Sequence, residues 1–92
     1  MENLIDEKII KQNNLRSHTI QGTTYWECPD GYPAYSKEFA EYGYNECVKN
    51  YPEQTYGWFL AERNGVYWTA NGCNKNHGIA AGWKIIKESK AN

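Results

Sequence analysis

The clearest pattern along the chain lies over residues 56–71, where aromatic and β-branched residues flank Asn64-Gly65 on both sides. Both central residues tolerate positive φ, as a two-residue type I′ turn requires, so the run predicts a β-hairpin. Such a turn pairs Arg63 with Val66, Glu62 with Tyr67, Ala61 with Trp68, Leu60 with Thr69, Phe59 with Ala70 and Trp58 with Asn71. Side chains alternate between the faces of a strand. One face therefore carries Phe59, Ala61, Val66, Trp68 and Ala70, with Arg63 at the turn end, and reads as a core face. The other carries Tyr56, Trp58, Leu60, Glu62, Tyr67, Thr69 and Asn71, aromatic but polar-tipped. That second face suits a ligand surface or a subunit interface, where one end of a ring is dry and the other wet. The alternative is that a helix or a second sheet covers it.

The remaining pattern supplies an N-terminal helix, two short strands, a longer helix and a closing strand. Asn3 can cap a helix over about residues 4–13, with Ile5 and Ile9 one turn apart, as a docked or swapped arm. Ser17–Ile20 and Thr23–Cys28 read as strands around Gln21-Gly22, either as a hairpin or as one strand with a bulge. Residues 29–33 form a turn-rich loop. Ser36 caps a helix to about Asn50, whose broad apolar stripe includes Phe39, Ala40, Gly43, Tyr44, Cys47 and Val48. Gly43 costs that helix roughly 1 kcal/mol against Ala, so a close approach of helix and sheet is expected there. Residues 71–78 read as a polar, glycine-bounded loop, and residues 82–87 as a strand with a helix as runner-up. Ser89–Asn92 should fray. The expectation is one α+β domain: a small antiparallel sheet of four to five strands, one main helix over about residues 37–50 and a short N-terminal helix.

Composition narrows the functional classes. The chain has 92 residues with four Trp and eight Tyr, and a net charge of −1. A core this small would gain from homodimerisation or a higher homo-oligomer. Near-neutral charge argues against bulk nucleic-acid binding. Residues 1–46 hold eight acids and four bases, net −4, whereas residues 47–92 hold three acids and six bases, net +3. The basic half contains the hairpin, which points toward an anionic ligand there. Cys28, Cys47 and Cys73 are odd in number and widely spaced, without a secretory signal, so free thiols and a cytoplasmic location are expected, with no membrane span.

No motif specifies catalysis or a cofactor. Cys73 and His77 have ligand-like spacing, but the paired knuckles of a zinc site are missing, so no metal is expected. The same pair could form a thiol–imidazole dyad, yet no nucleophile signature surrounds it, so the chain reads as a non-enzyme. Residues 71–78 could present backbone N–H groups to a phosphate beside a stacking face, as a nucleotide site needs. In that reading Tyr56, Trp58, Tyr67 and Trp83 supply rings. Thr69, Asn71 and Asn76 supply polar contacts, and Arg63, Lys75, His77 and Lys84 supply charge. The expected function is a non-catalytic binder that sequesters a small phosphorylated ligand such as a signalling nucleotide. The alternative is a module that binds or inhibits a host protein through its aromatic face. Both fit, by analogy of type, the small cytoplasmic proteins with which phages blunt host defence.

Overall fold

A computed structural model describes residues 2–90. The elements run α1 (Glu7–Gln12), β1 (Arg16–Ile20), β2 (Thr23–Glu27), α2 (Lys37–Asn50), β3 (Trp58–Arg63), β4 (Val66–Asn71), a 3-10 turn (Gly72–Asn74), α3 (Lys75–Ala80) and β5 (Lys84–Glu88). This is the α+β fold expected. The five strands divide, however, into a β1–β2 ribbon and a three-stranded antiparallel sheet ordered β4-β3-β5. Two isolated bridges join them, Glu27 with Pro33 and Tyr35 with Tyr67.

Both hairpins close on type I′-like turns. Asn64 and Gly65 take φ of 53° and 85°, and Gln21 and Gly22 take 51° and 82°. Gln21-Gly22 is thus a true hairpin turn and not a bulge. The β3–β4 register is the one the Asn-Gly turn dictates, from Arg63–Val66 to Trp58–Asn71. β5 pairs with the other edge of β3, with a register shift between Leu60 and Ala61.

β3 is buried on both faces. Phe59, Ala61, Val66 and Trp68 pack with Leu15, Cys28, Ala34 and Trp83, flanked by Ile5, Ile9 and Ile10 of the N-terminal segment. On the opposite face Leu60 packs with Ala40 and Tyr44 of α2, joined by Val48, Trp58 and Tyr67. Each such large side chain gains about 1.5–3 kcal/mol from burial. The polar-tipped face of the hairpin is therefore the seat of α2, and this corrects the expectation of an open aromatic surface.

Capping explains the helix limits. The Ser36 hydroxyl accepts the Phe39 N–H at 3.2 Å, starting α2 where its sequence places it. α1 is shorter than expected, because Asp6 caps it by accepting the Lys8 N–H at 2.8 Å. Asn3 does different work. Its side chain donates to the Ala34 carbonyl at 3.0 Å and accepts the Ser36 N–H at 2.7 Å. The stretch expected as a loop, residues 71–78, folds into the 3-10 turn and α3, and Gly78 lies against the Trp68 ring. Ser89 does not fray: its N–H donates to the Trp58 carbonyl at 2.9 Å, and its hydroxyl accepts the Trp58 N–H at 2.8 Å. The last two residues of the expected tail lie outside the described residues. Among the described residues no helix is long and apolar enough to cross a membrane.

Two glycines separate helix propensity from packing. A Cβ at Gly43 would sit 3.4 Å from the Thr69 methyl, in near-ordinary contact, so Gly43→Ala should stabilise the protein by about 0.5–1 kcal/mol. A Cβ at Gly72 would run into the Tyr56 carbonyl, so Gly72→Ala should cost about 2 kcal/mol or more. Urea unfolding of the two variants against the wild type checks both signs.

Candidate functional site

A concavity lies away from the β3–β4 hairpin. It is a groove of about 700 Å³ lined by Glu2, Asn3, Leu4, residues 22–26 of the ribbon, and Tyr35 and Phe39 at the start of α2. Three segments build it, and each is held for a separate reason. The Asn3 clamp on Ala34 and Ser36 fixes the N-terminal wall. The α2 cap fixes the opposite wall, where the Tyr35 and Phe39 ring centroids stand 5.2 Å apart. Burial raises the Tyr35 hydroxyl pKa above its ordinary value, so the phenol stays protonated. The floor is the outer edge of β2.

The hydrogen-bonding state of that edge follows from hairpin geometry. Opposed residues of an antiparallel pair alternate between exchanging two backbone bonds and exchanging none. Beside a two-residue turn the first pair is bonded, so in the ribbon the bonded pairs are Ile20–Thr23, His18–Tyr25 and Arg16–Glu27. Thr24 and Trp26 thus point their backbone groups outward. The Trp26 carbonyl accepts the Ala34 N–H at 3.0 Å, and two residues on the Cys28 N–H donates to the Tyr32 carbonyl at 2.8 Å, so residues 32–34 run as a strand along the far end of β2. At Tyr35 the chain leaves this line to exchange two bonds with Tyr67, at 2.9 and 3.0 Å, and then enters α2. The place opposite Thr24 is vacated. The Thr24 N–H and C=O and the Trp26 N–H have no protein partner among the described residues.

The residues singled out from sequence do not gather into one site. Tyr56, Trp58 and Asn71 lie near one end of the sheet. The Trp58 indole N–H donates to the Tyr51 carbonyl at 3.0 Å, and its ring packs at the margin of the α2 layer. Tyr67 and Thr69 sit on the face covered by α2, where the Thr69 hydroxyl donates to the Phe59 carbonyl at 2.8 Å. The Asn71 side chain is occupied twice, accepting the Cys73 N–H and donating to Gln54. Lys75 is held by Glu88 at 2.9 Å to both carboxylate oxygens. Asn76 and His77 are exposed on α3, and Lys84 is exposed at the start of β5.

Trp83 lies on the opposite face from Trp58, buried against Trp68 with centroids 5.4 Å apart. Arg63 stacks 4.5 Å above the Trp83 ring, grips Asp30 through two bonds of 2.8 and 3.0 Å, and donates to the Ala81 carbonyl at 2.8 Å. Arg63 is a structural tie and leaves little of its guanidinium for a phosphate. It also borders a shallower depression of about 430 Å³ near Cys28 and Asp30. Burial raises the Cys28 thiol pKa, outweighing the adjacent Arg63, so this thiol stays protonated. Among the described residues no group of three or more His, Cys, Asp and Glu side chains converges as a metal site would need.

Sequence reading passed over Leu4, Thr24, Tyr25, Trp26, Tyr35 and Phe39. One signal was present: neither face of the Arg16–Glu27 ribbon carries enough apolar side chains to form a layer of its own, which marks strands with unfilled edges. No protein-family model, curated protein or solved structure matches this chain.

The Arg63–Asp30 pair gives a pH-dependent signature. The hydrogen bond from Arg63 lowers the Asp30 pKa, so the pair's stabilisation is complete above the ordinary Asp value of about 3.9 and is lost as pH falls through the lower folded value. The Asp30 side chain is 45% exposed, so water screens the pair and Asp30→Asn should cost no more than about 1 kcal/mol at pH 7. In urea titrations at successive pH values, the gap between wild type and Asp30→Asn should close below about pH 4.

Proposed function

We propose that the chain is a non-catalytic protein-interaction module that accepts an extended segment of a partner protein into the groove as an added strand. One observation carries the reading: the unpaired outward edge at Thr24 and Trp26 opens onto an aromatic groove of about 700 Å³. Strand addition supplies main-chain hydrogen bonds for affinity and side-chain pockets for selectivity. The guest takes the line that residues 32–34 already follow along β2 and fills the place the chain leaves at Tyr35. Trp26, Tyr35 and Phe39 provide apolar walls, and Tyr25 and Leu4 form the rim. Leu4 in the lining is 73% exposed, an apolar margin that a guest would cover.

This is the second of the two functions expected from sequence, moved to a different surface. The first required stacking rings and free cations together. Here Tyr67 and Thr69 lie beneath α2, Arg63 and Lys75 are ion-paired, and no cation lines the groove.

Thr24→Pro tests the proposal cleanly. Proline removes the outward N–H while leaving the ribbon's own bonded pairs in place, and edge positions tolerate it. Peptides selected from a random displayed library on the wild-type protein should lose binding to Thr24→Pro, with circular dichroism unchanged. They should keep binding to Thr19→Pro, which alters the opposite edge of the ribbon. Unaltered binding to Thr24→Pro would sink strand addition. A tryptophan fluorescence response to mono-, di- or cyclic nucleotides that Thr24→Pro leaves intact would return the function to nucleotide sequestration.

A further inference from the structure

Charge decides what kind of segment the groove takes, an inference that rests on the strand-addition reading above. Glu2 is the one charged side chain in the lining, and it has no ion-pair partner among the described residues. The rest of the lining is rings, hydroxyls, one amide, Leu4 and backbone. The amide is spent, since Asn3 is bonded at both ends to Ala34 and Ser36. The rings of Tyr25, Trp26, Tyr35 and Phe39 contribute to the lining, and aromatic faces attract a cation and repel an anion. The ribbon's formal cation, Arg16, stands on β1, on the face shared with Tyr25 and Glu27 and opposite Trp26, and does not line the groove. The half of the sequence that builds the groove, residues 1–46, carries a net charge of −4. The lining's one carboxylate and the formal charge of this half agree in sign, and the sign is opposite to the one that the basic hairpin half suggests.

We infer that the occupant of the groove is an extended segment of a partner protein in which apolar residues alternate with lysine or arginine. An added strand places successive side chains on opposite sides, which suits a two-residue repeat. Its backbone pairs with Thr24 and Trp26. The aliphatic stem of a lysine or arginine lies along the rings while its head reaches the Glu2 carboxylate, since these side chains bury the stem and keep the charge at the surface. An unpaired carboxylate beside aromatic faces then contributes discrimination, while the strand bonds contribute affinity that is indifferent to sequence.

The test uses three blocked hexapeptides alternating valine with lysine, with glutamine or with glutamate, titrated into the full chain by calorimetry and tryptophan fluorescence. The lysine peptide should bind about fivefold or more tighter than the glutamine peptide, as an exposed ion pair with a cation–π contact provides. The glutamate peptide should bind weakest of the three. Glu2→Gln should bring the lysine peptide down to the glutamine peptide's affinity. The lysine preference should shrink as salt rises from about 0.05 M to about 0.5 M.

Equal affinity for the lysine and glutamine peptides, both lost on Thr24→Pro, overturns the charge inference and leaves strand addition standing. Binding of the lysine peptide that survives Thr24→Pro but not Glu2→Gln leaves the charge preference and removes strand addition. Absence of binding by all three peptides at millimolar concentration overturns the inference. So does a concentration-dependent dimer that Thr24→Pro abolishes, because the groove would then belong to a second copy of the chain.

Discussion

Residues Tyr32–Ser36 hold the two sheets in one body. Extended backbone directs successive residues to opposite sides, and this segment uses both. The Tyr32 carbonyl and the Ala34 N–H bond to β2, while Tyr35 turns the other way and exchanges both its bonds with Tyr67 of β4. The Ala34 carbonyl and the Ser36 N–H are then closed by one side chain, Asn3. A two-stranded ribbon alone is marginal in water, so β1 and β2 depend on this seam for their place. The helix depends on it too. α2 begins one residue after the seam, and its first turns are directed across the Leu60 face of the sheet. Covering that face closes the hairpin surface and leaves the groove at the point where the seam turns aside.

Local chemistry made much of this fold legible. Asn64-Gly65 set the register of six residue pairs, Ser36 set the start of α2, and Gly43 marked the close approach to Thr69. What stayed hidden is non-local. The faces of β3 and β4 could be separated by period, but period does not say which face meets the helix. A signal was available in Trp58-Phe59-Leu60-Ala61, a continuous apolar run of the kind found in strands covered on both sides. The seam itself, with Pro29 and Pro33 nearby, has the composition of a loop, and its bridges reach residues as distant as Tyr67. α3 was hidden because Asn, Gly and His are weak helix formers. Its place comes from tertiary contacts, Gly78 against Trp68 and the Tyr32 hydroxyl donating to the His77 carbonyl.

The candidate site was less legible than the fold. Cations read as free to meet a ligand are taken up internally, Arg63 by an aspartate thirty-three positions away and Lys75 by Glu88. Charge patterning in one dimension does not reveal such pairs. The groove draws on residues 2–4, residues 22–26, Tyr35 and Phe39, which share no motif and meet only because the seam folds them together. Burial divides the aromatic set as well. Trp68 and Trp83 serve the core, Trp26 packs half-buried against it, and Tyr25 is exposed, and nothing in their identities distinguishes these roles.

The exposure of the ribbon carries a dynamic consequence. β1 and Thr23–Tyr25 are exposed along their whole length, whereas Phe59, Leu60 and Ala61 are almost wholly buried. Protein regions with few buried contacts open at lower free energy than the core does, as separate cooperative units. By that measure the ribbon is the part of the described fold that opens at least cost. Under the strand-addition proposal a guest would bind the formed ribbon alone, and its apparent dissociation constant would be the intrinsic one divided by the fraction of ribbons formed. The two turn residues at the tip, Gln21 and Gly22, set that fraction through their backbone angles. On that proposal, recognition in the groove would be tuned from the end of the ribbon opposite the seam, without a change in the chemistry of the contact.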